Sequence, residues 1–303
     1  ISYDEYGVSV IDEEKCIRCG QCAAKCPFGA IGTKTWITNV IADLKAGKKV
    51  YAILAPATEG QFGKDITMES WRQAVKKAGF EDLIEAGLGG DMTTCSEAEE
   101  WLEAYRNGEK KTTSCCPGFV NMIRKHYPDL ADMISTTVSP MCAVSRMIKA
   151  KDPDAVTVFV GPCVAKRKEA QRDEAVDFVM TFEEISSIFD AFEINLEIVQ
   201  PYAMEFSSVR EAHGFAQAGG VMGAVKAFLK MEADKINAIQ VSDLNKKNIG
   251  TLRAYAKSGK APGQFIEVMA CEGGCITGPS THSGSNNGKR QLVQELAKQK
   301  KTY

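Results

Sequence analysis

Short apolar strands alternate with helical stretches along most of this chain. Two β-branched runs, Val50–Leu54 and Val156–Val160, have the length and composition of buried strands. The predicted helices are Ser70–Ala78, Ser96–Arg106, Ser139–Ala150, Phe182–Phe192 and Val221–Met231. This alternation predicts an α/β body whose strands are mostly buried.

Both ends of the chain depart from that pattern. Residues 1–46 are cysteine-rich and show little apolar periodicity, so we expect a small separate segment there and the main domain at 47–303. Thr281–Gly288 (THSGSNNG) predicts an exposed turn before a final basic helix. Gly219–Gly223 (GGVMG) lacks the full glycine pattern and the acidic residue of a dinucleotide loop, so we expect close backbone packing there and no nucleotide.

The overall composition is that of an ordinary globular protein. The 303 residues are 44% hydrophobic and 25% charged, and their net charge of −2 disfavours nucleic acid or an anionic membrane as partner. No apolar run approaches the roughly 18 residues of a membrane span, and the polar stretch Ile1–Tyr6 is no signal peptide. The default location is therefore the cytoplasm.

The cysteines are the exception, since the chain has 11 of them. Disulfides are one explanation, but the sequence carries no secretion signal. The cysteines are also locally clustered, and a metal cluster needs several thiolates that converge on one point. The pattern therefore favours metal binding.

The first cluster of cysteines lies near the start of the chain. It reads Cys16-x2-Cys19-x2-Cys22-x3-Cys26-Pro27, which is the spacing of bacterial ferredoxins. A structural zinc site is the alternative, but zinc normally takes ligands in two separated pairs. The compact run therefore predicts a 4Fe–4S cluster.

The fourth cysteine of this run is Cys26, and its expected ligand role differs from that of the other three. In two-cluster ferredoxins that cysteine ligates the other cluster. The chain begins with Ile1 rather than methionine, and Ile1–Asp12 is typical of the hairpin that joins the halves of a ferredoxin-like domain. We therefore expect that a matching run once preceded residue 1, that Cys26 serves that other cluster, and that the cluster of Cys16, Cys19 and Cys22 lacks its fourth ligand in this chain.

The second group of cysteines comes from three distant segments. These are Thr113–Val120 (TSCCPGFV), Gly161–Glu169 (GPCVAKRKE) and Glu267–Gly278 (EVMACEGGCITG). Scattered buried thiols are the alternative explanation, because cysteine is often a small core residue. The adjacent pair in the first segment and the glycines between the two cysteines of the third argue against it.

The three segments resemble the signature motifs of the FeFe-hydrogenases, in the same order along the chain. The resemblance extends to Ala55–Thr58 (APAT) and to the ferredoxin-like start, so it covers nearly the whole chain. It implies a two-lobed α/β catalytic domain with an N-terminal ferredoxin-like (α+β) segment. It also implies an H-cluster, in which a 4Fe–4S cubane is joined to a two-iron unit bearing carbon monoxide, cyanide and azadithiolate.

The resemblance assigns roles to individual residues. The cubane ligands would be Cys116, Cys163, Cys271 and Cys275, the last supplying the bridging sulfur. Cys115 would face the azadithiolate amine as a proton-transfer thiol. A thiol with an ordinary pKa of about 8.5 can release and regain a proton close to neutral pH. The remaining residues beside the two-iron unit would be Lys166 on a cyanide, Met269, Met141, Gly161, and the backbone of Ala55, Pro56 and Ala57.

A proton path is implied as well. Glu97, Ser135 and Glu100 occupy the positions of the relay partners of Cys115. The two glutamates are three residues apart and share a face of a predicted helix. A solvated helix surface is the alternative for such glutamates, whereas a buried carboxylate with a raised pKa could carry protons.

Four positions depart from the common motif. Phe119 replaces tryptophan, Gly161 replaces methionine, Met141 replaces glutamine, and ITGPS follows Cys275 in place of a glycine triplet. Such changes tune a metal site while its ligands stay. They resemble divergent members proposed as hydrogen sensors.

The sequence therefore predicts an enzyme that interconverts dihydrogen with protons and electrons. Its partners would be an electron carrier such as ferredoxin and the maturation proteins that insert the two-iron unit. A slow hydrogen sensor is one alternative, and a non-catalytic relative that assists iron–sulfur assembly is another. The assembly relative keeps the cubane cysteines, but it has no two-iron unit for Cys115, Lys166 and Met269 to contact. Cys95, Cys142 and the three histidines receive no role as ligands.

Overall fold

The computed structural model describes residues 1–258 and 261–303. The strands are β1 (Ser2–Tyr3), β2 (Ser9–Val10), β3 (Val50–Leu54), β4 (Asp82–Glu85), β5 (Lys111–Thr112), β6 (Val156–Val160), β7 (Phe178–Met180), β8 (Ala238–Ser242) and β9 (Phe265–Met269). The α-helices are α1 (Gln21–Ala24), α2 (Ile37–Lys45), α3 (Met68–Lys77), α4 (Ala86–Asn107), α5 (Pro117–His126), α6 (Pro140–Lys151), α7 (Lys166–Ala170), α8 (Phe182–Ala191), α9 (Arg210–His213), α10 (Gly220–Leu229), α11 (Lys246–Ser258) and α12 (Ser285–Lys298).

Two parallel sheets form the two lobes of the main domain. The first has the strand order β4-β3-β6-β7, and the second has the order β5-β9-β8. Every pairing in both sheets is parallel. The predicted α/β class is confirmed, and β3 and β6 have the predicted bounds.

The first sheet is buried on both faces, which explains the continuous apolar runs of its strands. In β3, Ala52 and Leu54 pack on one face with Trp71 of α3 and Phe182 of α8. Ile53 points to the opposite face, toward α6. Burying an aliphatic side chain completely contributes roughly 1.5–3 kcal/mol, so these layers fix the register of the sheet.

Helix α4 is much longer than its predicted part, Ser96–Arg106. Its first half contains Gly87, Gly89 and Gly90, which lower helix propensity and obscure the pattern. A side chain at Gly89 would collide with the carbonyl oxygen of Pro140 at the start of α6. Gly89 therefore lets these two helices pack backbone against backbone, whereas Gly87 and Gly90 lie against Ser208 and Ala212.

The end of the chain also differs from its prediction. Helix α12 begins at Ser285, inside the predicted turn Thr281–Gly288. A Cβ at Gly288 would lie 2.9 Å from Nε2 of Gln61 and 3.1 Å from Cγ1 of Ile276. The polar run is therefore a helix start that packs on the domain. Among the described residues, no helix has the length and apolar character needed to cross a membrane.

The predicted N-terminal hairpin is present and antiparallel, with Ser2 opposite Val10. The segment that follows it is bound to α5. The side-chain amide of Asn121 donates to the carbonyl oxygen of Ile17 at 3.1 Å, and Lys125 Nζ donates to that of Cys16 at 2.9 Å. The first cysteine run therefore rests on the helix that follows Cys116.

Arg167 ties the same segment to the first sheet. Its guanidinium donates to Thr33 Oγ1 at 2.7 Å and to the carbonyl oxygen of Lys34 at 2.6 Å. It also pairs with Glu184 Oε2 at 2.6 Å, and both side chains are largely buried. One buried cation thus links the N-terminal segment, α7 and α8.

Candidate metal centre

The second group of cysteines lies where strands of both sheets end. Cys115 and Cys116 follow β5, Cys163 follows β6, and Cys271 follows β9. The carboxyl ends of parallel strands share one edge of a sheet, which is where binding crevices form. Cys275 joins them from a 3-10 turn, Cys275–Thr277.

The four predicted ligand cysteines are close enough to influence one another electrostatically. Burial raises the pKa of the Cys163 thiol to about 11, and the charge of Cys116 adds to this effect. Burial also raises the pKa of Cys275 to about 12, with contributions from Cys163 and Cys116. The pKa of Cys271 is raised by burial first and then by these same three thiols. Such mutual effects require neighbouring sulfur atoms.

This donor set fits a positively charged inorganic core. Buried thiols with raised pKa values stay neutral unless a metal stabilises the thiolates. The backbone amide of Ala270 donates to Cys116 Sγ at 3.3 Å, the kind of amide–sulfur contact that accompanies iron–sulfur ligation. In the described part of the chain, no three His, Cys, Asp or Glu side chains are placed to hold a single metal ion.

A small cavity of about 70 Å³ adjoins two of these four cysteines, Cys163 and Cys275. The predicted residues that line it are Ala55, Pro56, Ala57, Cys115, Met141, Lys166 and Met269. Phe159, Phe215 and Ala216 also line it, and no sequence pattern identified them. These three come from β6 and from the Gly214–Ala216 turn, so only the tertiary fold brings them to the cavity.

Gly161 is not part of the cavity wall, although the resemblance placed it beside the two-iron unit. A Cβ at Gly161 would lie 2.8 Å from that of Ala55 and 2.9 Å from the ring of Phe159. The Phe159 ring therefore fills the space next to this glycine. A larger side chain at Gly161 would require that ring to move.

Lys166 is buried at the edge of the cavity. Its ammonium donates to Glu169 Oε2 at 2.7 Å and to the carbonyl oxygen of Cys115 at 3.3 Å. Burial alone would lower the pKa of Lys166, but the charge of Glu169 raises it above its ordinary value. The other Glu169 oxygen lies 3.7 Å from Cys142 Sγ. Lys166 is thus a permanent cation held by a carboxylate that sequence spacing did not identify.

The predicted relay residues form two neighbouring pairs, Ser135 with Glu100 and Glu97 with Cys115. Ser135 Oγ donates to Glu100 Oε2 at 2.5 Å. Glu97 is fully buried, and burial, followed by the charge of Glu100, raises its pKa to about 8. Burial raises the pKa of the Cys115 thiol well above its ordinary value, and the charge of Glu97 adds to the rise, so the ordinary pKa expected from the sequence is wrong for this thiol. Cys115 and the two glutamates are therefore close enough to influence one another.

The first cysteine run borders a cavity of about 590 Å³, lined by Cys16, Cys19 and Cys22 but not by Cys26. Burial raises the pKa of Cys19, with the charges of Cys22 and Cys16 contributing. The pKa of Cys26 is instead lowered by backbone amides, chiefly that of Phe28. Cys26 thus has surroundings different from those of its three neighbours in sequence.

The two cysteine groups are neighbours in space. The charge of Cys19 contributes to the raised pKa of Cys271. A Cβ at Gly118, in the first turn of α5, would lie 3.9 Å from that of Cys19. The first run is therefore adjacent to the second.

Two buried ionisable groups near the centre were not predicted. Glu267 accepts from the backbone amides of Gly219 and Met222 at 2.6 and 2.8 Å, which caps α10. His213 lies between two carboxylates, with Nε2 3.1 Å from Glu59 and Nδ1 3.6 Å from Glu85. These partners are far apart in sequence, so no local pattern reveals them.

Two family models match this chain. The model described as "Iron only hydrogenase large subunit, C-terminal domain" matches residues 48–279. The model described as "4Fe-4S binding domain" matches residues 9–32.

Curated relatives fall into two groups. Iron hydrogenase 1 of Clostridium pasteurianum is 29% identical over 83% of this chain and 53% of its own length. NADP-reducing hydrogenase subunit HndD of Solidesulfovibrio fructosivorans is 27% identical over 87% of this chain and 55% of its own length. The chain thus spans about half the length of these hydrogenases. The cytosolic Fe-S cluster assembly factor narfl of Danio rerio is 25% identical over 73% of this chain and 68% of its own length.

Solved structures share the fold. A variant of an apo [FeFe]-hydrogenase from Chlamydomonas reinhardtii superposes with a TM-score of 0.73 at 20% identity, covering 88% of this chain and 91% of that one. Because the family model spans well over half of the sequence, this chain belongs to the family of the iron-only hydrogenase large subunit, C-terminal domain.

Proposed function

We propose that this protein is an FeFe-hydrogenase that interconverts dihydrogen with two protons and two electrons. The observation that carries the proposal is the mutual electrostatic influence of four cysteines, two of which line the same cavity as Cys115, Lys166 and Met269. The cubane would be held by Cys116, Cys163, Cys271 and Cys275. When bound, the two-iron unit would supply the metal chemistry that activates dihydrogen.

The chain's own residues would orient the two-iron unit and move protons. The buried Lys166 ammonium would donate hydrogen bonds to an anionic cyanide at the cavity edge. Met269, Met141 and the small residues that follow β3 would exclude water. Cys115 would release and regain a proton at Sγ.

Protons would leave the cavity through the buried carboxyl of Glu97. Ser135 and Glu100 would continue the path toward the surface, because these two already share a hydrogen bond. A carboxyl with a pKa of about 8 can exchange a proton near neutral pH. This match supports the relay role of Glu97.

Electrons would arrive through the N-terminal segment, residues 1–46. A 4Fe–4S cluster at Cys16, Cys19 and Cys22 is supported by the cavity beside those sulfurs and by the matching binding-domain model. The influence of Cys19 on Cys271 supports direct passage to the catalytic domain, residues 47–303. The outside partner would be an electron carrier such as ferredoxin.

Infrared spectroscopy after maturation of the two-iron unit tests the proposal. Bands of metal-bound carbon monoxide and cyanide are expected together with hydrogen evolution from a reduced carrier. A Lys166→Met variant should alter the cyanide bands, because it removes the donor at the cavity edge. Complete absence of both kinds of band in a protein with intact cubanes would refute the proposal.

Two other functions remain as alternatives. The match to an iron–sulfur assembly factor favours a non-catalytic relative, and such a protein would show cubane signals alone. A hydrogen sensor is favoured by the glycine at position 161, where the common motif has methionine, since Phe159 occupies the space beside it. A sensor would show the same infrared bands but turn over slowly, so electrochemical rates separate it from a production enzyme.

A further inference from the structure

Helix α4 carries a buried carboxyl and a buried indole one turn apart. Glu97 is 0% exposed and Trp101 is 2% exposed. The indole Nε1 donates to Glu97 Oε2 at 3.1 Å. Because an indole N–H can only donate, Oε2 is fixed as an acceptor.

The other oxygen of Glu97 is in a different situation. Oε1 is buried and has no hydrogen-bond partner within residues 1–258 and 261–303. A charged carboxylate with one unpaired buried oxygen is costly, so the surroundings favour a neutral carboxyl. In a neutral carboxyl the carbonyl oxygen is the better acceptor, and Trp101 therefore selects Oε2 as the carbonyl and leaves the proton on Oε1.

The acidic groups around Glu97 act in the same direction. Glu100 lies on the same helix, Glu267 comes from β9, and Cys115 follows β5. Lys111, 3.6 Å from Glu100, pairs with that carboxylate. Burial and two acidic neighbours, Glu100 and Glu267, thus oppose a negative charge on Glu97 and outweigh the side chain of Ser135 and the backbone of Ser114, which favour it.

We propose that Trp101 is a positioning residue whose indole N–H holds Oε2 of Glu97 and so assigns the exchangeable proton to Oε1. The inference rests on the proposed function for its role in hydrogen turnover. Because Oε1 makes no hydrogen bond to Cys115, the proton passes through one bridging water: the Cys115 S–H bond breaks as the water takes that proton, and the water gives one of its own to Oε1, so the thiol becomes a thiolate and the carboxylate becomes a neutral acid. The reverse step returns the proton to sulfur.

The tryptophan content of the chain makes a direct test possible. There are three tryptophans in the sequence, so an ¹⁵N-labelled sample of the whole chain gives three indole N–H resonances. Trp36 packs against Phe178 and Trp71 against Phe62, so both serve as internal references.

The expected result is that one indole resonance moves with a midpoint near pH 8, where Glu97 titrates. That movement should vanish in Glu97→Gln, and the other two resonances should not follow it. An indole resonance of Trp101 that is insensitive between pH 6 and 10, or that still titrates in Glu97→Gln, overturns the inference.

A second variant separates positioning from packing. Trp101→Phe keeps an aromatic ring but removes the donor, so the pKa of Glu97 should rise by about one unit. The infrared carboxyl band that is absent in Glu97→Gln reports this pKa without any turnover. The pH profile of hydrogen turnover should shift by the same amount, with an unchanged KM for dihydrogen. An unchanged carboxyl midpoint in Trp101→Phe overturns the inference, whereas absent turnover with the expected spectra refutes the proposed function alone.

Discussion

His213 should make the stability of this protein fall as the pH rises from neutral into the alkaline range. The imidazole is buried between Glu59 and Glu85, 3.1 and 3.6 Å away. Burial opposes its charge, but the two carboxylates outweigh burial and raise its pKa from 6.5 to about 9. The charged histidine therefore stabilises the folded state.

The size of the effect follows from this pKa. One unit of pKa difference corresponds to about 1.4 kcal/mol, so charged His213 contributes about 3 kcal/mol in full below pH 6.5. The contribution disappears as the pH rises through about 9. His213 and the two carboxylates are largely buried, so added salt screens their attraction only weakly. Glu97 and Glu267 also titrate in this window, so the loss of about 3 kcal/mol is expected in the difference between the free energies of unfolding of the wild type and of a variant without His213.

Denaturant unfolding at a series of pH values between 6 and 9.5 measures this loss. His213→Gln should lack it and should be less stable than the wild type at pH 6.5, because two buried carboxylates lose their cation. His282→Gln is the matched control, since the pKa of His282 is lowered by burial and it should keep the wild-type slope. Parallel wild-type and His213→Gln curves over the whole range would refute the reasoning.

Three further changes test the contacts that hold the metal centre together. Arg167→Met should lower the free energy of unfolding by about 3–5 kcal/mol, because it leaves the largely buried Glu184 carboxylate without its cation. It should also expose residues 33–46 to limited proteolysis, whereas Lys168→Met should have neither effect. Cys163→Ser should remove about four irons per chain from the sulfur-ligated cubane in an iron assay, and Cys95→Ser should remove none. Glu267→Gln should lower the thermal midpoint through loss of about 1–3 kcal/mol, since an amide oxygen and nitrogen cannot both accept from the start of α10; an unchanged midpoint would contradict this role.

The sequence by itself determined the elements whose signals are local. Val50–Leu54 and Val156–Val160 are apolar and β-branched because both faces of their sheet are covered, so their bounds could be predicted. The spacing of Cys16, Cys19 and Cys22 predicts sulfurs that share one site, because ligands separated by two intervening residues converge within a single loop. The motif segments marked the remaining cysteines through resemblance to a family.

Only the tertiary structure decided the contacts between distant segments. The three glycines at the start of α4 disfavour a helix by propensity, and only the fold shows that Gly89 lies against the start of α6 and the other two against Ser208 and Ala212. Phe159 reaches the cavity because β6 ends beside it, and His213 meets Glu59 and Glu85 across more than 100 residues of chain.

The same distinction applies within one helix. Glu97 and Trp101 are one turn apart, which their spacing shows, but their burial depends on β9 and α10 covering that face. In water an indole and a carboxylate at this spacing would each bind solvent, and their hydrogen bond would be weak. Removal of water by the surrounding fold gives this contact its strength and raises the pKa of the carboxyl.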